Sequence, residues 1–100
     1  MQSRTYRKIP LDAQLRERVR FLALAGDETR VRILCFLFEY NEACVSDIAE
    51  SIGVHINTAS HHLRMMKDNG LLESERMGTS ICYKLIPSSF MNNLKKAICD

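Results

Sequence analysis

A mainly α-helical chain with one small β-hairpin is the fold class this sequence predicts, on three observations. Apolar residues recur at helical spacing through most of the chain. The stretch Val45 to Asn69 reads as a short helix, a turn at Gly53 and a longer helix. Two short alternating runs, Leu71 to Arg76 and Ser80 to Leu85, flank a turn at Met77, Gly78 and Thr79. The predicted order is four helices, two strands and a fifth helix, in a single domain over residues 1–100. The helix-turn-helix takes 45–69, the hairpin 71–85 and the last helix 87–99.

Each element has its own signature. From Leu11, the positions Leu15, Val19, Leu22 and Ala25 follow helical spacing up to Gly26, a good C-cap residue. So short a helix cannot be buried on every side, so its apolar stripe is expected partly at a subunit interface. Asp27 caps a second helix running to Tyr40, with Glu28 favourable in its first turn. Its stripe holds Val31, Leu34, Cys35 and Phe38, widened by Ile33 and Leu37, and Asn41 to Ala43 break it. A third helix covers Ser46 to Ile52, with Ile48, Ala49 and Ile52 inward. The fourth spans Ile56 to Asn69 and ends at Asn69-Gly70, a left-handed terminator. In the second strand Ile81, Tyr83 and Leu85 alternate against Cys82 and Lys84, which predicts one buried face and leaves Cys82 on the outer one, without a role. Pro87 and Ser88 open the last helix, whose stripe is Phe90, Met91, Leu94 and Ile98.

Composition narrows the class. One hundred residues suit a single core, and 46% hydrophobic content without tryptophan suggests that a partner subunit covers some apolar surface, so a homodimer is expected. No stretch approaches the roughly 18 apolar residues of a membrane span, and Met1 to Pro10 lacks the apolar run of a signal peptide, so a cytoplasmic protein without a membrane partner is expected. Four cysteines with no C-x-x-C pair and no secretory signal predict reduced thiols. The formal charge is only +2. It is sided, however: arginines crowd the front, and no Lys or Arg lies between Arg32 and Arg64. An enzyme is not expected, because the chain offers no paired carboxylates in a cleft, no phosphate loop and no nucleophile with a base at useful spacing.

A helix, a glycine turn and a longer helix that starts with small polar residues form the geometry that offers a helix to the DNA major groove. In the fourth helix Ala59, Leu63 and Met66 take the inner face, leaving Asn57, Ser60, His61 and Arg64 outward. Asn57 suits a bidentate pair with adenine, Ser60 any base or a phosphate, and His61 and Arg64 phosphate or guanine. Thr58 caps the helix or touches phosphate. With Ala49 where the two helices meet and Gly78 at the hairpin tip, the set reads as a winged helix-turn-helix. A winged helix that binds proteins without reading DNA is the alternative of another class.

The stretches "LALAGDETRVR", "ACVSDIAESIG", "ASHHLRMMKDNGLL" and "GTSICYKL", together spanning about Leu22 to Leu85, resemble the ArsR/SmtB family of winged-helix repressors. The resemblance implies a dimer built by the first and last helices, repressing transcription from an inverted-repeat operator in double-stranded DNA and released by an effector. It places base reading on Ile56, Asn57, Ser60 and His61 and sets the wing, with Arg76, at the minor groove. Ile56 departs from the family's polar preference there and suits a thymine methyl instead. The wing carries Glu73 and Glu75 beside Arg76, fewer positive charges than the family shows, which implies a weaker salt dependence.

Family effectors are metals, metalloids and thiol reagents. Phe90 to Asp100 offers only Cys99 and Asp100 as ligands, too few for a divalent site in the last helix. His55, His61 and His62 lie in or beside the recognition helix, where DNA contact, capping or packing explains them. Cys44 matches the start of the family's thiolate box, but Ser46 holds its second thiolate position while Asp47 is retained. Soft ions such as As(III), Cd(II) or Pb(II) want two or three thiolates, so Cys44 needs another cysteine or the dimer mate. Cys35 and Cys99 resemble a subgroup that senses reactive sulfur or oxidants through a second-helix and a last-helix cysteine. A bond between them would pin those helices together. The thiol reading leads, a soft metal or metalloid at Cys44 with Asp47 is the alternative, and loss of sensing is the third; no cofactor is otherwise implied.

Overall fold

A computed structural model of the protein describes residues 4–99. Met1 to Ser3 and the considered ligand Asp100 lie outside the described residues. The order is α1 (Ala13–Ala25), α2 (Glu28–Tyr40), β1 (Glu42–Cys44), α3 (Val45–Ile52), α4 (Ile56–Asp68), β2 (Leu72–Met77), β3 (Ser80–Leu85) and α5 (Ser89–Ile98).

The helices begin where side chains can receive their free N–H groups. Asp12, Asp27 and Ser88 accept from Leu15, Arg30 and Met91 at the starts of α1, α2 and α5. The α3–α4 turn depends on Gly53, whose left-handed φ of 71° lets the Gly53 and Val54 amides close onto the last turn of α3. Gly70, at φ 85°, turns the chain from α4 into β2.

One core joins all five helices and the sheet. Ile33, Leu34 and Leu37 of α2 are fully buried with Ile48, Leu63 and Met66. Truncating a leucine or isoleucine here costs about 2–5 kcal/mol, because the lost transfer free energy is joined by a cavity. The centre of α2 is therefore Ile33, Leu34 and Leu37, while the expected stripe members Val31, Cys35 and Phe38 are only half-buried. The α5 stripe packs as expected, Met91 and Leu94 buried with Phe90 and Ile98 beside them. In α1 the residues against the core are Phe21, Leu24 and Ala25, while Val19 and Leu22, and Leu11 just before the helix, stay more than half exposed.

Two strand expectations need correction. The sheet has three antiparallel strands in the order β1-β3-β2, not two. Asn41, at a positive φ of 68°, ends α2 and sends Glu42, Ala43 and Cys44 alongside Lys84, Tyr83 and Cys82. Three residues are too short for a period-two signal. Because β1 makes β3 the central strand, the expected alternation fails: Cys82 and Tyr83 are both buried, and Ile81 is exposed.

Candidate nucleic-acid interface and cysteine pairs

Helix α4 is fixed from behind and free in front. Ala59, Leu63 and Met66 anchor α4 with no exposed surface. His55 opens it, its Nδ1 accepting from the Asn57 amide at 3.0 Å. Capping, one of the roles expected for a histidine here, thus falls to His55. Ile56, Asn57, Thr58, His61 and Arg64 are exposed and Ser60 is half-buried, so the six share the outward side of one helix. Arg64 folds back along it, Nε donating to the Ser60 carbonyl at 3.3 Å.

The wing stands beside the first turn of α4. Gly78 sits at its tip with φ 66°, and Arg76 is exposed on β2 opposite Ile81. Ser46, Ile56 and Ser60 share a shallow groove with Thr79, Ser80 and Ile81, so the apolar Ile56 borders the wing. On the other edge Lys84 Nζ lies 3.2 Å from Glu73 Oε1. That hydrogen bond, then the carboxylate's charge, holds the Lys84 ammonium above its ordinary range. So exposed a pair adds little stability.

Sequence reasoning missed Arg30. Its Nε donates to the Leu24 carbonyl at 2.7 Å, and its Nη1 lies 3.3 Å from His62 Nδ1 and 3.6 Å from Met65 Sδ. One guanidinium thereby ties the end of α1 and the start of α2 to the back of α4. The Arg30 amide, donating to Asp27 Oδ2 at 3.0 Å, is the main cause holding the Asp27 carboxyl below its ordinary value, with smaller help from the Arg30 and His62 charges against desolvation. Arg32 similarly reaches the Ile52 carbonyl at the end of α3, at 2.6 Å. The sequence signal was only that these cations precede a long stretch without any. Tyr83, beside Arg64 and Asp68, has its hydroxyl pushed up by burial, with Arg64 opposing.

The four cysteines form two disulfides, against the expectation of free thiols. Cys35 on α2 is bonded to Cys99 just past α5, with Cα atoms 5.6 Å apart. Cys44 is bonded to Cys82, its directly opposed partner across the β1–β3 ladder. Cys82 is therefore not an outward residue without a role. Two cysteines 38 positions apart carry no pairing signal until β1 is known. Cys44 immediately precedes α3, and Asp47 lies in its first turn; both line a pocket with Cys82, Met77, Phe36 and Tyr40. Among the described residues no three His, Cys, Asp or Glu side chains are gathered to hold an ion. Cys44 with Asp47 is thus an incomplete set for the soft divalent cations the family implies.

A helix-turn-helix with an exposed second helix and a β-hairpin packed beside it defines a winged helix-turn-helix protein. The profile for bacterial regulatory proteins of the arsR family matches residues 27–74. The chain is 34% identical over 90 residues to the HTH-type transcriptional regulator NmtR of Mycobacterium tuberculosis, covering 89% of this chain and 74% of NmtR. It is 35% identical over 75 residues to the cadmium resistance transcriptional regulatory protein CadC of Listeria innocua, covering 75% of this chain but only 58% of CadC. The crystal structure of the AntR antimony-specific transcriptional repressor matches with a TM-score of 0.81 and 26% identity, over 93% of this chain and 84% of that one. The chain belongs to the ArsR family of bacterial regulatory proteins.

Proposed function

We propose that this protein is a cytoplasmic, homodimeric transcriptional repressor that holds an inverted-repeat operator in double-stranded DNA and is controlled through Cys35 and Cys99. The observation that carries the DNA reading is the outward face of α4, where Ile56, Asn57, Thr58, Ser60, His61 and Arg64 stand clear of the core beside the wing. Two copies of α4 about 34–36 Å apart meet successive major grooves on one side of the duplex. Base contacts then come from Asn57, Ser60 and the Ile56 side chain, and phosphate contacts from Arg64, His61 and Arg76. The exposed Val19 and Leu22 of α1, with Leu11 just before it, supply an apolar face for a second copy, alongside α5.

The switch reading rests on the position of the Cys35–Cys99 bond. It fastens the end of α5 to the middle of α2, where the Cys35 sulfur also lies 3.7 Å from the Ile98 carbonyl oxygen. Oxidation removes two electrons and two protons from the thiols, delivered to an oxidant or polysulfide, and forms one S–S bond. Because α5 is also the expected dimer helix, fixing its end to α2 changes how the two reading helices are spaced.

The test is a mobility-shift titration on a duplex selected from a random pool. Asn57→Ala with Ser60→Ala should abolish sequence preference while the dimer stays folded, each lost base contact weakening discrimination by about 1–3 kcal/mol. Unchanged operator affinity refutes the reading face, and failure to select any duplex from the pool favours a protein-interaction module. Sodium tetrasulfide should release the wild type, reduced beforehand and freed of reductant, but neither Cys35→Ser nor Cys99→Ser treated alike; release of both variants refutes the switch.

A further inference from the structure

We propose that the cavity between the end of α2, the end of β3 and α5 is a binding site for a small amphipathic monocarboxylate, its carboxylate on Lys95, Asn92 and Asn41 and its apolar body on Leu37, Leu85 and Met91. The site shares no side chain with either cysteine pair or with the outward face of α4, and it does not depend on the proposed switch.

The lining selects the ligand. The cavity, of about 540 Å³, has the size of pockets that take small molecules, which run from about 300 to 1,000 Å³. Leu37 and Met91 are buried and Leu85 is half-buried, and together they give it an apolar floor. Its rim is polar. Lys84 and Glu73 are paired with each other there, which leaves Lys95 as the one lining cation without a carboxylate partner among the described residues. The exposed Asn41 and Asn92 add two side-chain amides beside it. One cation with two amide donors fits a singly charged carboxylate, whose oxygens accept several hydrogen bonds at once. A dianion would bring a second charge towards Glu73 with no second free cation to meet it, and a ligand polar throughout would leave groups unsatisfied on the floor. Asn41 carries a further mark. Its φ of 68° is a conformation that glycine adopts freely and other residues rarely do, and such strained positions cluster at ligand sites.

The cavity also stays open in the expected dimer. Phe90 of α5 packs toward Phe21 of α1, with ring centroids 6.0 Å apart, so α1 lies on that flank of α5. Asn92 and Lys95 are one turn apart and share the opposite flank. A second copy seated on the exposed Val19 and Leu22 of α1 therefore approaches from the far side of α5. The bound acid joins Asn41 at the end of α2 to Lys95 on α5, and so spans the two helices that Cys35–Cys99 fastens elsewhere.

The experiment titrates phenylbutyrate into the oxidised full chain by isothermal calorimetry, with octanoate as its alkyl counterpart and phenylbutyramide as its uncharged one. Saturable binding of one acid per chain is expected, and the tighter of the two acids tells an aryl body from an alkyl one. The amide should bind about tenfold or more weakly, because a charge-assisted hydrogen bond is lost. Lys95→Met should weaken the acid to the level of the amide, whereas Lys96→Met, next on the helix but outside the cavity, should not; both lysines are exposed, so neither variant disturbs the core. In a nitrogen–proton correlation spectrum the acid should shift the backbone signals of Leu37, Asn41 and Asn92. Saturable binding by neither acid, or shifts confined to other residues, overturns the site. Equal affinity for the amide, undiminished binding by Lys95→Met, or equal loss in Lys95→Met and Lys96→Met overturns the carboxylate assignment. None of these readouts involves DNA.

Discussion

Replacing Cys99 by serine frees α5 from α2, and the chain topology sets the size of the effect. Cys35 and Cys99 are 64 positions apart, but the Cys44–Cys82 bridge lies inside that loop and short-circuits 38 of them. The outer bond therefore closes an effective loop of about 26 residues, for which the chain-entropy relation gives about 3.5 kcal/mol at 25 °C. With an unfolding entropy of about 0.2 kcal/mol/K for 100 residues, that corresponds to a fall in melting temperature of about 17 °C. The assay is thermal denaturation of the oxidised protein and Cys99→Ser at equal chain concentration, which matters because dimerisation adds to apparent stability. Reductant should lower the wild type at least as far, since it opens both bridges. A difference below about 5 °C would show that the bond does not restrain the unfolded chain, and with it would go the argument that oxidation fastens α5.

Three further outcomes follow from individual residues. Leu22→Asp places a charge on an α1 face that is 53% exposed and not part of the core, so it should leave the helix content of the chain intact while shifting sedimentation from dimer to monomer. Arg30→Leu removes the donor to the Leu24 carbonyl and the His62 contact, and should cost about 1.5–3 kcal/mol by urea denaturation at unchanged m-value. The Asp27 carboxyl is lowered on folding, so its stabilisation is fully present above its ordinary value of 3.8 and disappears as pH falls through the folded value. The stability advantage of the wild type over Asp27→Asn should therefore shrink below about pH 4, measured by denaturant midpoints, and an advantage that is constant with pH contradicts the assignment.

The helix-turn-helix was legible because its signals are local. Gly53, Ala49 and the inner stripe Ala59, Leu63 and Met66 each act within a turn or two of their own position, and the structure places them as the spacing implies. The sheet was less legible. Period-two alternation assigns faces only if a strand is covered on one side, and β3 is covered on both near Cys82 and Tyr83. The helix α1 carries two apolar sets, Phe21 with Leu24 against the core and Val19 with Leu22 outside it, and spacing cannot say which set meets its own chain. Arg30 and the cysteine pairs escaped for a common reason. Arg30 meets His62 32 positions away, and Cys35 meets Cys99 64 positions away, so only the assembled chain brings them together.

The two cysteine pairs act on different joints. Cys35–Cys99 ties α2 to α5, on the side of the expected dimer contact, and Cys44–Cys82 ties the start of α3 to the central wing strand. Yet α2 passes both: Cys35 is bonded to α5, while its neighbour Phe36 lines the pocket over Cys44 and Cys82. A rotation of α2 about its axis that eases one bridge must move the aromatic wall of the other. Both bridges therefore bear on α4, which is held from behind by Arg30 of α2 and from the side by α3 and the wing. Reciprocity makes the coupling measurable: whatever factor oxidation of Cys35–Cys99 changes in the oxidation equilibrium of Cys44–Cys82, oxidation of Cys44–Cys82 must return in that of Cys35–Cys99.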